Sequence, residues 1–377
     1  MKDFIFIIKY LINFFVLTSI LISQNLDNSD FEKFLKNNNK NLDSYKESGM
    51  NDYKEFKKQQ NDEFQAFKKE VEKKWETFKT SSRKKFVRYS SNLDSRSEVD
   101  FEKGYIEVEV QTEDRRETPA SIEKKIYKEL KSIVETKDSE STSIVEDQLP
   151  KEILQPKRNK LDSKKAQKLV NKIKSKKKTV VANDNKKRFQ YSFKIPLAKN
   201  HLTKRATKYY NVVKKHAARF GLDPSLVMAI IHVESHFNPM AKSHIPAYGL
   251  MQLVPESGGR DSYSKLFGKD WAPNERYLFS PNKNIELGCN YLSILKNQYF
   301  KNIKDSQSKE YCVIAGYNTG SGNVSKAFTG KKNMVIASKK INKMASKKVK
   351  QRLLNRLPYK ETKKYLVKVL EKRKLYM

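Results

Sequence analysis

From His201 to the end of this 377-residue chain the apolar residues recur at helical spacing, whereas two stretches before it alternate strictly. Tyr105-Ile-Glu-Val-Glu-Val-Gln111 and Phe189-Gln-Tyr-Ser-Phe-Lys-Ile-Pro-Leu197 place apolar and polar residues in turn, the pattern of half-buried strands. A chain divided in this way is expected to be α+β, a small strand-bearing domain followed by an all-α domain. The expected divisions are an N-terminal segment at 1–24, an α+β domain at 25–198 with a Lys-rich insertion, and a helical domain at 199–377.

Finer signals fill in both halves. Between Asn51 and Thr80, the residues Tyr53, Phe56, Phe64, Phe67, Val71, Trp75 and Phe78 are spaced mostly by three and four, predicting one long amphipathic helix packed on the following domain. Phe101-Glu-Lys-Gly104 reads as a turn. Thr118 to Glu135 is helical, with Ile122, Ile126, Leu130 and Ile133 on one face. Lys137 to Asp147 is a polar loop. Lys151 to Arg188 holds 15 basic and three acidic residues, yet Ala166, Leu169, Val170 and Ile173 predict a short helix inside it. In the second half, Tyr209, Val212, Val213, His216 and Phe220 mark a helix ended by Gly221. Asp223-Pro224 then opens another as N-cap and first-turn proline. Further helices are expected at Asn284–Tyr299, at Ser308–Tyr317 and over the basic end from Lys332 to Leu375.

Charge and cysteine content exclude several classes. Two Cys leave no disulfide scaffold and no Cys-rich metal site, and five scattered His show no ligand spacing, so neither metal nor cofactor is expected. Cys289 and Cys312 fall on expected helices and read either as a disulfide or as two buried thiols. The net charge of +35 calls for a polyanionic partner or surface. Of 78 basic residues, however, 64 are Lys and 14 are Arg, and Asn, Ile, Tyr and Phe are also abundant. That bias fits AT-rich codons and speaks against base readout, which leans on arginine. No nucleic-acid partner is expected.

Phe4 to Ile22 is apolar apart from Lys9, and its strongest run, Tyr10 to Ile22, has the length of an export-signal core. Polar sequence follows at once from Ser23, which fits poorly with a buried core helix. The expectation is an export signal, with an uncleaved anchor as the alternative. No Cys lies near the segment to carry a lipid, and the bulk of the chain is expected outside the cytoplasm.

The chemistry concentrates in Asp223-Pro-Ser-Leu-Val-Met-Ala-Ile-Ile-His-Val-Glu-Ser-His-Phe-Asn-Pro239. Glu234 shares a helix face with Val227 and Ile231, at the C-terminal end. Desolvation and the negative end of the helix dipole both disfavour its anion, so its pKa should rise. A carboxylic acid kept protonated near neutral pH suits a general acid for an ether-like leaving oxygen. On this segment alone, a surface Glu in a last helical turn is an equal reading.

Two later stretches tip the balance. Glu234-Ser235, Gly249-Leu250-Met251-Gln252 and Gly316-Tyr317-Asn318 occur in this order. Together they resemble the lysozyme-like lytic transglycosylases of bacterial cell walls, over the region from about His201 onward. A small strand-bearing domain followed by Asn200-His-Leu-Thr-Lys-Arg-Ala-Thr-Lys-Tyr-Tyr210 looks like the membrane-bound branch of that family. The resemblance implies a lysozyme-like (goose-type) helical domain in which Glu234 is the single catalytic acid and later the base. It implies that Ser243 lies near the substrate acetamido group and that Met251 and Gln252 line the glycan cleft. Tyr317 and Asn318 would shape its floor, and Tyr365 would lie near the acid. Gly316 replaces the usual Ala, a change expected to be tolerated. Ile245 stands where many members carry a polar residue, which puts the acetamido contact in question.

The implied reaction cleaves the bond between N-acetylmuramic acid and N-acetylglucosamine in peptidoglycan and closes a 1,6-anhydro ring. One Glu suffices, whereas ordinary glycosidases pair two carboxylates. Glu256 and Asp261, in a Gly-rich loop, are the nearest second acids in sequence and are not expected to act. The expected partner is the glycan strand, met by a monomer in the periplasm and associated with a membrane. A hydrolase of lysozyme character and a non-catalytic murein-binding scaffold are the alternatives. Lys331 to Met377, with 17 basic and two acidic residues, either holds such acidic polymers or is a solvated lysine face.

Overall fold

The computed structural model describes residues 61–155, 160–172, 176–244 and 247–377. The apolar segment at 4–22, residues 51–60 of the expected long helix, Ile173 and Ile245 lie outside them. Residues 61–70 are helical, and in the compact unit that begins at Val71 the helix ends at residue 74, short of the expected Thr80. The reason lies at Trp75. Its ring is buried, its Nε1–H donates to the Leu93 carbonyl at 2.8 Å, and the Arg96 guanidinium lies 4.0 Å over it. That anchor turns the chain toward the sheet.

Five strands follow: β1 (Lys85–Tyr89), β2 (Ser95–Asp100), β3 (Tyr105–Thr112), β4 (Lys176–Val181) and β5 (Lys187–Pro196). They form one antiparallel sheet in the order β1-β2-β3-β5-β4. Both alternating stretches seen in the sequence are strands, β3 and β5, and they pair centrally with Val108 opposite Phe193. Gly104, at φ +71°, makes the turn into β3. The Lys-rich insertion supplies β4, which composition concealed. Lys176, Lys177 and Lys178 are exposed on that edge strand, where charge discourages pairing with another chain.

One face of the sheet is covered by α1 (Pro119–Val134) and α2 (Ser163–Lys172). The expected stripe Ile122, Ile126, Leu130 and Ile133 is buried there with Val108, Val110, Phe193 and Ile195. Thr118 caps α1 by accepting from the Ser121 N–H, and Pro119 fills its first position.

The rest is helical: α3 (His201–Arg219), α4 (Pro224–Ser235), α5 (Arg260–Phe267), α6 (Glu275–Leu278), α7 (Pro281–Ile294), α8 (Ser306–Thr319), α9 (Ser321–Thr329), α10 (Met334–Ile341), α11 (Ser346–Arg356) and α12 (Lys360–Arg373). A second apolar cluster lies among them, centred on α4. The α4 helix is buried on nearly all sides, from Ser225 to His232 and again at Glu234 and Ser235. It is a central helix rather than an amphipathic one, so Glu234 is desolvated by the whole helix and not by one face. Asp223 is its N-cap, accepting from the Ser225 N–H at 2.7 Å.

Cys289 and Cys312 are both buried free thiols, and burial pushes both thiol pKa values up. Among the described residues no helix is long and apolar enough to cross a membrane, and no cluster of His, Cys, Asp and Glu is arranged to hold a metal.

Candidate active site

The α4 helix ends sharply. His236 (φ +52°) and Phe237 (φ +60°) are both left-handed, a costly conformation for side chains of that size. The turn is held because Ser235 Oγ donates to the carbonyl of Ile231 at 3.1 Å and to that of Leu250 at 2.8 Å. The serine after the acid therefore ties α4 to the Gly-Leu-Met-Gln loop.

That loop is built around Gly249 and Asn284. Gly249 has φ +75°, and a Cβ there would lie 2.2 Å from the Leu278 carbonyl oxygen, so no other residue fits. Asn284 accepts from the Met251 N–H at 2.8 Å and donates to the carbonyls of Tyr248 and Leu278, both at 2.9 Å. Gln252 (φ +49°) donates its amide to the carbonyls of Ala241 and Gly249, both at 3.0 Å, while its buried Oε1 has no partner among the described residues. Met251 is fully buried, its side chain filling the space beside Gly288. Met251 and Gln252 thus shape this loop and present little surface of their own.

Tyr317, on α8, donates to the Met251 carbonyl at 2.8 Å and lies tilted against Tyr291 with ring centroids 5.6 Å apart. Asn318 is half-buried beside it. Gly316 is matched to Phe300, since a Cβ there would lie 2.8 Å from that ring. Ser243 Oγ accepts from the Ala247 N–H at 3.2 Å, and its own N–H donates to the Ala247 carbonyl at 3.1 Å, closing the loop that contains Ile245.

Glu234 is only 5% exposed. Burial pushes its carboxyl pKa up from 4.5 to about 7. The Tyr365 hydroxyl on α12 and the Arg83 guanidinium pull the other way, and Glu361 adds to the rise. Arg83 lies 3.6 Å from Glu234 and 3.5 Å from Glu361. The Tyr365 hydroxyl is buried close enough to favour the Glu234 anion, yet among the described residues it makes no hydrogen bond of ordinary geometry. Burial and the neighbouring Glu234 hold the hydroxyls of Tyr317 and Tyr365 well above the usual phenol pKa, so both stay protonated donors. The arrangement is a neutral carboxylic acid in a dry setting, flanked by two phenols and one cation, able to give a proton and take it back.

Two members of this site were not singled out in the sequence. Glu361 stands four residues before Tyr365, one helical turn away, and that spacing could have exposed it. Arg83 carries no such signal, because it precedes β1 and reaches the acid only through tertiary packing. Glu256 and Asp261 are not among the leading influences on Glu234. Glu256 lies 3.5 Å from Arg260 instead.

Comparison with known proteins agrees with both halves of the chain. The model for the transglycosylase SLT domain matches residues 211–340, and that for the N-terminal domain of membrane-bound lytic murein transglycosylase C matches residues 50–208. Proteins named membrane-bound lytic murein transglycosylase C from Yersinia pestis (strain Pestoides F) and Yersinia pseudotuberculosis serotype O:1b (strain IP 31758) are each 45% identical over 182 residues, covering 48% of this chain and 50% of theirs. The chain thus spans about half the length of the curated relatives it matches. A solved 70-kDa soluble lytic transglycosylase in complex with bulgecin A overlaps 47% of this chain and 25% of that one, at 27% identity and a TM-score of 0.36. Over residues 50–340 the chain is thus similar to an SLT domain behind an N-terminal domain of the murein transglycosylase C kind.

Proposed function

We propose that the chain is a peptidoglycan lytic transglycosylase acting at the β-1,4 bond between N-acetylmuramic acid and N-acetylglucosamine. The observation that carries this reading is the Glu234 carboxyl, 5% exposed and raised to about 7 in a family-matched domain. In its neutral form Glu234 protonates the leaving glycosidic oxygen, and the C1–O bond breaks toward an oxocarbenium-like state that the 2-acetamido group of the sugar stabilises. The resulting Glu234 carboxylate takes the proton of the sugar's own 6-hydroxyl, whose oxygen bonds to C1 and closes the anhydro ring. The proton returns to Glu234 and no water is consumed. Tyr317, whose hydroxyl donates to the Met251 carbonyl, and Tyr365 keep the acid desolvated. Ser243 and Asn318 are assigned to the sugar-binding surface, and Met251 and Gln252 to the loop that shapes it. The division of labour at residues 198 and 199, a monomeric state and a periplasmic, membrane-associated location belong to the same reading. The names of the relatives support the association with a membrane.

The test is mass spectrometry of products from purified murein incubated with the chain. Muropeptides ending in 1,6-anhydro-N-acetylmuramic acid, lighter than the hydrolysed form by one water, are expected. Reducing ends would instead mean a hydrolase, with Glu361 the first group to suspect of positioning water. No product from the folded chain would leave a murein-binding scaffold.

A further inference from the structure

We infer that Arg83, contributed by the segment entering the N-terminal sheet, is a positioning residue for the acid on the helical side of the molecule. The inference rests on the reading of Glu234 as that acid. Three observations carry it. First, the Arg83 guanidinium spans two carboxylates from different helices, Glu234 of α4 at 3.6 Å and Glu361 of α12 at 3.5 Å. Second, the Arg83 backbone is fastened to the same place. Its carbonyl accepts from Nδ2 of the fully buried Asn238 at 3.3 Å, and the Asn238 N–H donates to the carbonyl of Ser235, the residue after the acid. Third, the segment is braced against its own sheet. Ser82 N–H donates to the Lys85 carbonyl at 2.9 Å, and Ser81 Oγ accepts from the Val87 N–H at 2.9 Å. The guanidinium is therefore placed by the start of β1 and aimed by the turn after α4.

The consequence follows from the charge that Glu234 carries through the cycle. It is neutral before proton donation and anionic after. A fixed cation beside it favours the anionic stage, which makes the buried carboxyl a stronger acid than burial alone would leave it. The forked guanidinium also fixes which way the carboxyl points, a task a lysine cannot copy in full. The groups acting on Glu234 are Arg83 from the segment before β1, Tyr365 and Glu361 from α12, and Tyr317 from α8. Among these described groups Arg83 is the cation, and the Glu361 carboxylate 3.5 Å from it tempers its charge.

The experiment compares the pH profiles of anhydro-muropeptide release by the full chain, by Arg83→Gln and by Arg83→Lys. Activity needs neutral Glu234, so it falls on the alkaline side as that group ionises. Arg83→Gln should move the alkaline limb up by about one pH unit and lower kcat on the plateau several-fold, with KM little changed. Arg83→Lys, which keeps the charge, should leave the limb near its original place. A Gln limb that coincides with that of the unaltered chain would overturn the inference, whatever happens to the plateau. So would a Lys limb displaced as far as the Gln limb, because charge would then not be the cause. If the unaltered chain itself releases no anhydro ends, the reading of Glu234 fails and takes this inference with it, an outcome visible before any variant is made.

Discussion

Glu109 in the sheet and Glu234 in α4 are nearly equally buried, at 6% and 5% exposed, and their environments push them in opposite directions. Burial alone would raise both. Around Glu109, Arg96 Nε donates at 2.6 Å, Gln190 Nε2 donates at 2.6 Å and Lys79 Nζ at 2.7 Å, and the carboxyl ends below its ordinary range. Around Glu234, a guanidinium at 3.6 Å and a phenol without ordinary hydrogen-bond geometry do not offset desolvation, and the carboxyl ends raised. A buried carboxylate with a full set of donors is a structural rivet. One left short of donors is a proton held in reserve. Exposure by itself does not separate the two, whereas their sets of partners do.

The largest effect should come from removing the reserve. Glu234→Gln keeps shape and burial but cannot exchange a proton, so turnover should fall by about a thousandfold or more while murein pull-down persists. Full-rate lysis by that variant would end the comparison. Removing the rivet should act on stability instead. Glu109→Gln leaves Arg96, 3% exposed, without its counter-charge, at a cost of about 3 to 5 kcal/mol in denaturant unfolding. Turnover per folded molecule should stay unchanged, and a selective loss of kcat would blur the distinction.

The two carboxyls should also differ in how pH affects folding. The folded-state pKa of Glu234 lies above its ordinary 4.5, at about 7. The folded chain therefore binds a proton that the unfolded chain has already released, and this contribution is complete below 4.5 and lost as pH rises through 7. Relative to the unaltered chain, Glu234→Gln should gain stability steadily from pH 5 to pH 8, reaching about 3 kcal/mol. A constant difference would mean that the carboxyl ionises normally. The lowered Glu109 should show the reverse slope, with its contribution disappearing as pH falls through its folded value. The smallest effect is expected at Gly316. Adding the family's usual methyl in Gly316→Ala gains helix propensity but presses on Phe300, for a net loss of about 1 kcal/mol or less. Thermal unfolding of the variant with and without Phe300→Leu would show the coupling.

Much of this contrast could be read along the chain. Alternation located β3 and β5, and the Ile stripe located α1. The Asp223-Pro224 cap located α4, and two of the ordered motif blocks meet the third where Ser235 and Tyr317 donate to the carbonyls of Leu250 and Met251. Other features could not be read so. The lysines of β4 hid a strand, because an edge strand is defined by the neighbour it pairs with. The long helix stops at residue 74 because Trp75 is captured by Leu93 and Arg96, which no helical periodicity announces. Glu234 was read as lying on an apolar face, whereas the helix is enclosed on nearly all sides by other elements.

The sequence alone determined most of the elements and singled out Glu234 as the candidate acid, since periodicity, caps and short motifs act over a few residues and are written in order. Only the tertiary structure decided how strong that acid is. Its pKa depends on how completely water is excluded and on which charges arrive from elsewhere, and Arg83 and Glu361 come from opposite ends of the described chain. Desolvation and Coulomb forces act through space, so their sum at one carboxyl exists only once the chain has packed.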